Sequence, residues 1–113
     1  PELHKLTPSL TILQRKGFKV GLITDGRMSG ASGKVPAAIH VSPEAAQNGL
    51  IGKIKTGDKL LLDATNGRIE CLEKDLNKRK PRKVIYVNPT HGRQLFNNLR
   101  SLISSSEDGA GIL

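Results

Sequence analysis

Tryptophan is missing from this chain of 113 residues, tyrosine and methionine occur once each and phenylalanine twice. A core therefore has to be assembled from Leu, Ile, Val and Ala, which suits a globular domain thin in aromatics. One cysteine, Cys71, excludes an internal disulfide and a multi-cysteine metal site supplied by this chain alone. It falls in a predicted strand outside every motif and reads as a structural thiol. No apolar run approaches the roughly 18 to 20 residues that a bilayer crossing needs. The opening PELHKL also lacks the basic-then-apolar layout of a signal peptide. The expectation is a cytoplasmic protein with no membrane partner.

Acidic residues are also few. Ten Asp plus Glu against eighteen Lys plus Arg leave a net charge of +8, enough to raise the question of nucleic acid or an anionic substrate. Lys74, Lys78, Arg79, Lys80, Arg82 and Lys83 are concentrated in KDLNKRKPRK. That stretch has no aromatic residue to stack on a base, so it is expected to be a solvated loop, with no nucleic-acid partner.

The length fits one domain. Leu3, Leu6, Leu10 and Leu13 recur at helical spacing, and Pro8 is tolerated only in a first turn. The pattern predicts a helix from Thr7 or Pro8 to Gly17, with PELHKL as an irregular lead-in. Phe18 to Thr24 predicts a buried strand ending at the Asp25-Gly26 turn, and Ala38 to Val41 a second strand. Ser42-Pro43-Glu44 resembles a helix start, closed by Asn48-Gly49. Strands are predicted over Leu50 to Ile54, Lys59 to Asp63, Arg68 to Glu73 and Val84 to Val87, with Thr65-Asn66-Gly67 as a hairpin turn. Leu95, Phe96, Leu99, Leu102 and Ile103 predict a last amphipathic helix over Arg93 to Ser104, followed by a polar tail, SSSEDGAGIL, that should fray. The sum is a mixed α/β domain, a twisted sheet or small barrel with flanking helices.

The segment ITDGRMSGASGKVPAAIH runs from a strand straight into small residues, two serines and two cations, a setting in which sites concentrate. A tight turn is the plain reading of its glycines. It is not a nucleotide P-loop, because Val35 follows Gly33-Lys34 where Ser or Thr belongs and Met28 stands where the first glycine belongs. Ser29 lacks both flanking glycines of a hydrolase elbow. His40 and His91 are single histidines, more often structural than catalytic.

PELHKLTPSL together with LITDGRMSGASGKVPAAIHVSPEA is similar to the C-terminal segment of the dehydratase family that contains dihydroxy-acid, sugar-acid and phosphogluconate dehydratases. Within it, ELHKLTP paired with DGRMSGASGKVPAAIH resembles the phosphogluconate branch, and GRQLFNNLR is reminiscent of the same branch. The resemblance implies a swivelling-type β/β/α domain over residues 1–113, belonging to a larger enzyme. That enzyme would dehydrate 6-phospho-D-gluconate to 2-dehydro-3-deoxy-6-phospho-D-gluconate, in the Entner–Doudoroff route. It also implies an iron–sulfur cluster of 4Fe-4S type, held by an N-terminal domain not included here, a homodimer, and an inactive isolated domain.

By the same resemblance Ser29 is the candidate proton acceptor, and Glu2 matches a magnesium ligand of the dihydroxy-acid branch, with one residue more between it and the serine. His4, Lys5, Arg27 and Lys34 lie near these motifs and suit the carboxylate or phosphate of a phosphorylated sugar acid. Two other readings stand beside this one. The first is a different sugar-acid or dihydroxy-acid dehydratase; the second is a basic binding module without activity, whose nucleic-acid affinity would centre on Lys74 to Lys83.

Overall fold

The computed structural model describes residues 3–29, 33–82 and 96–112. Leu3–Leu6 form one turn of 3-10 helix that runs into helix α1, Thr7–Arg15, with Pro8 in its first turn as expected. The Lys16 N–H donates to the carbonyls of Ile12 and Leu13, and Gly17 then leaves the helix at φ 90°. That left-handed conformation is one glycine adopts without steric cost.

Strand β1 is Leu22–Ile23 and strand β2 is Ala37–Ala38; they pair in parallel, Leu22 with Ala37 and Ile23 with Ala38. Both are shorter than the runs predicted from composition. The Leu22 N–H donates to Pro36 O at 2.9 Å and the Thr24 N–H to Ala38 O at 2.9 Å, so the pairing stops where the glycine-rich segment begins and ends.

Strands β3, Leu60–Asp63, and β4, Arg68–Cys71, form the expected antiparallel hairpin, closed by Ala64 to Gly67 with Gly67 at φ 63°. Asp63 organises the turn. Its Oδ1 accepts from the backbone N–H groups of Thr65 and Asn66 and its Oδ2 from the Asn66 side chain at 2.7 Å. Those bonds, the Asn66 side chain foremost, hold the Asp63 carboxyl below the usual carboxylate range.

Mixed α/β character is as expected. The described strands make two separate two-stranded sheets and no closed barrel. Leu50 to Ile54 is not a strand: Leu50–Lys53 is a 3-10 turn. The reason is close packing, since a Cβ on Gly52 would stand 3.1 Å from Ala45 Cβ, in the helical turn Ala45–Gln47. That turn starts two residues later than the Ser42-Pro43-Glu44 pattern suggested, with Glu44 as its extended first cap and Asn48 at φ 63° ending it. Helix α2, Asn97–Leu102, falls inside the predicted last helix; the candidate strand Val84 to Val87 lies outside the described residues. The polar tail does not fray. The Ser104 N–H donates to Gly111 O at 2.9 Å, and Ser106 donates to Glu44 from both its N–H and its Oγ.

The basic run is exposed at Lys74, Lys78, Lys80 and Arg82, as expected of a solvated stretch, and departs from that expectation at Arg79. Leu76–Lys78 form a helical turn, Leu76 is the buried apolar residue among those described, and Arg79 turns inward with a side chain 14% exposed. Its guanidinium meets Asp58 at 2.6 Å and Asp75 at 2.8 Å. Asp75 and Arg79 stand four apart, a spacing that brings side chains together on a helical turn. The guanidinium holds both carboxyls below their ordinary range, and the Lys55 N–H assists at Asp58. The two acids in turn raise Arg79.

Leu76 sits at the floor of an apolar groove walled by Ile23, Ile51, Leu60, Ile69 and Cys71, where the two sheets and the 3-10 turns converge. Cys71 is a free, half-buried thiol on that wall. The packing is thin. Phe18 is 60% exposed and Ile12 and Leu72 are each 54%. The chain exposes 9276 Å², against about 6,000 Å² for a compact monomer of its mass.

Replacing Leu76 by Ala should cost about 2 kcal/mol or more of unfolding free energy, read from the urea midpoint. The Asp58 and Asp75 carboxyls are depressed in the fold, so their contribution is complete above the unfolded-state range near pH 4 and fades as pH falls through the lower folded values. Arg79→Met should therefore flatten the decline in thermal stability below about pH 4. A parallel decline in both proteins would show that the ion pairs do not set it.

Candidate functional site

The site is built on the segment that links β1 to β2. Thr24 leaves β1 and its Oγ1 accepts from the Gly26 N–H at 2.9 Å, folding the chain sharply at Asp25-Gly26. Gly26 O then accepts from the His40 N–H, and Thr24 O from the Val41 N–H, so the two ends of the segment are stitched together beyond the strands themselves. His40 adopts φ 54° to make its bond. Asp25, read from sequence only as a turn residue, anchors the next element: its Oδ2 accepts from the Ala45 N–H at 2.8 Å.

Two contacts bring the N-terminal lead-in to this segment. A Cβ on Gly26 would stand 3.1 Å from Leu3 Cδ1, so the glycine leaves room for Leu3 against the turn. The Thr7 hydroxyl faces Met28 Sδ at 3.7 Å, a weak donor–acceptor contact. The two motifs that carried the family resemblance are thus adjacent in space, although about twenty residues separate them along the chain.

Beside this seam lies a shallow hollow of about 320 Å³ lined by His4, Thr7, Thr11, Arg15 and Lys34 among others. It unites two of the cationic candidates, His4 and Lys34, and adds Arg15, which sequence reasoning left on the helix. Thr7, Thr11 and Arg15 are spaced by four, so they share one face of α1, and that spacing was the available signal. Arg27 and Lys5 are exposed and do not line this hollow. Ser29 is exposed at the outer part of the same segment. Glu2 and Gly30 to Ser32 lie outside the described residues, as does His91.

Glu44 locks the far side. Its Oε1 accepts from the Ser106 hydroxyl at 2.6 Å and the Ser106 N–H at 2.9 Å, which keeps the carboxyl well below the usual range and hence charged. The described residues contain no group of three or more His, Cys, Asp or Glu able to hold a metal ion. The lone Cys71, across the apolar groove, does not suit a cluster either. No helix among the described residues is long and apolar enough to cross a membrane.

Gly26→Val should push Leu3 away from the turn. The expected outcome is faster amide hydrogen exchange in Leu3–Leu6 with the β3–β4 hairpin unchanged; unaltered exchange there would mean that Leu3 is held by something else.

The model of the Dihydroxy-acid/6-phosphogluconate dehydratase C-terminal family matches residues 1–110. A phosphogluconate dehydratase of Helicobacter pylori is 51% identical over 96% of this chain and 19% of its own length. Another from Zymomonas mobilis is 49% identical over 97% of this chain and 18% of its own. A dihydroxy-acid dehydratase of Ignicoccus hospitalis is 40% identical over 83% of this chain and 17% of its own. The chain spans about a fifth of the length of the curated relatives it matches. By its sequence over nearly the whole length, the chain belongs to the Dihydroxy-acid/6-phosphogluconate dehydratase C-terminal family.

Proposed function

We propose that this chain is the C-terminal part of a phosphogluconate dehydratase, a hydro-lyase that converts 6-phospho-D-gluconate to 2-dehydro-3-deoxy-6-phospho-D-gluconate in the Entner–Doudoroff route. The observation that carries the reading is the near-50% identity to enzymes of that name over almost all of the chain. The reaction takes a proton from C2 and hydroxide from C3, and the resulting enol relaxes to the ketone with no net change of oxidation state.

This chain's part is the proton. Ser29 is exposed in a segment whose two ends are clamped by backbone hydrogen bonds, which supports its assignment as the proton acceptor. A serine hydroxyl is a weak base unless its charged form is stabilised. Arg27 two residues before it, and Lys34 after it, supply positive charge on the same segment. His4, Arg15 and Lys34 around the neighbouring hollow suit the carboxylate or phosphate of the substrate, and Lys5 and Arg27, exposed outside its lining, add positive charge from the same motifs.

The iron–sulfur cluster implied by the family finds no fitting ligands here, so its cysteines, and the groups that receive the leaving hydroxide, belong outside this chain. Glu2, similar to a magnesium ligand of relatives, is assigned no step. In the full-length enzyme the chain packs against a cluster-bearing N-terminal domain, works as a homodimer and resides in the cytoplasm. The surplus of exposed surface, Phe18, Ile12 and Leu72 included, supports a covering partner.

Ser29→Ala in the full-length protein should lower kcat on 6-phospho-D-gluconate by about 100-fold or more and abolish exchange of the C2 hydrogen with deuterated solvent. Turnover within a factor of a few of the parent would remove Ser29 from the mechanism. Turnover on unphosphorylated dihydroxy acids in preference to 6-phospho-D-gluconate would reassign the substrate.

A further inference from the structure

A second cationic hollow, of about 390 Å³, lies away from the Ser29 segment and shares no lining residue with the one beside α1. Lys53, Lys55, Lys80 and Arg82 line it, with Thr56 at its edge. Among the described residues none of these four cations belongs to an ion pair. The nearby acids are already engaged, since Asp58 and Asp75 both face Arg79. Asp58 offsets part of the charge at Lys55; the gathered cations otherwise repel one another, and a site of this kind is relieved by an anion.

Its walls are fixed. The Lys55 N–H donates to Asp58 Oδ2 at 2.7 Å, and the same oxygen meets the Arg79 guanidinium at 2.6 Å, so one carboxylate ties the turn carrying Lys55 to the stretch carrying Lys80 and Arg82. The Arg82 N–H donates to Gly52 O at 2.9 Å, and Lys53 Nζ donates to Asn77 O at 3.1 Å. The cations are therefore held around the hollow by backbone that other contacts have already positioned, which lowers the ordering cost of binding.

We propose that this hollow binds a small phosphorylated anion, at a site distinct from the one that presents Ser29. A phosphate group offers several oxygens to several cations at once, and Arg and Lys bind it by charge-assisted hydrogen bonds. Among the described residues no aromatic side chain lines the hollow to give a platform for stacking bases, as a single-stranded nucleic acid would require. A protein interface favours an apolar or aromatic centre poor in lysine, and here the lysines are the centre.

The test is calorimetric titration of the full-length protein with inorganic pyrophosphate, for the parent, the double variant Lys80→Ala/Arg82→Ala and Lys34→Ala. We expect saturable binding in the parent that weakens about tenfold or more in the double variant and persists in Lys34→Ala. Equal affinity in parent and double variant would overturn the assignment, as would an absence of saturable binding. Displacement by a single-stranded oligonucleotide at lower concentration than by inorganic phosphate would overturn it in favour of nucleic acid. No turnover is measured, so the outcome is independent of whether Ser29 acts in a dehydration.

Discussion

The parallel pairing of β1 with β2 is the constraint on which the site rests. Parallel strands cannot be joined by a tight hairpin and need a connection of about a dozen residues. Here that connection is a glycine- and serine-rich segment, where one expects a helix. Its departure and return are clamped within one layer of hydrogen bonds, from Leu22 to Pro36 and from Thr24 to Ala38, with His40 and Val41 returning bonds to Gly26 and Thr24.

Around that clamp the carboxylates act as fasteners. Asp25 holds the turn at Ala45, Asp58 joins the Lys55 turn to Arg79, Asp63 shapes the hairpin end, and Glu44 takes the tail. In a chain short of acids, four of its ten sit at junctions between elements. The uncompensated positive charge that results is distributed over the surface, and in two places it collects around a hollow. The net charge is fixed by composition; what the fold decides is that these four acids lie at junctions, apart from the cations that line the two hollows.

Local signals in the sequence were sound where one short pattern decides the outcome. Pro8 and Gly17 bracket α1, and Thr65-Asn66-Gly67 places the hairpin turn. Ser29 is exposed in the segment that follows β1. The failures share a cause, which is contact between distant segments. Leu50 to Ile54 looks like a strand until Gly52 is seen to press on Ala45. Within the solvated basic run, Arg79 alone among the described cations turns inward, to Asp58 twenty-one positions away. The tail looks loose until Ser106 reaches Glu44. Hydrophobic periodicity does not encode such meetings, and polar residues that look like surface can be the ones that hold the chain closed.

The bond between Glu44 and Ser106 has a bearing on how the chain is made. Its partners stand 62 positions apart, so the whole stretch from Glu44 to Ser106 must leave the ribosome before the clasp can shut. Until then the Ala45–Gln47 turn has only its own short-range bonds and the tether to Asp25. Contacts spanning so much sequence form late because the intervening chain has to be brought round first. A nascent chain stalled before that serine would carry a finished hairpin and an unfastened waist.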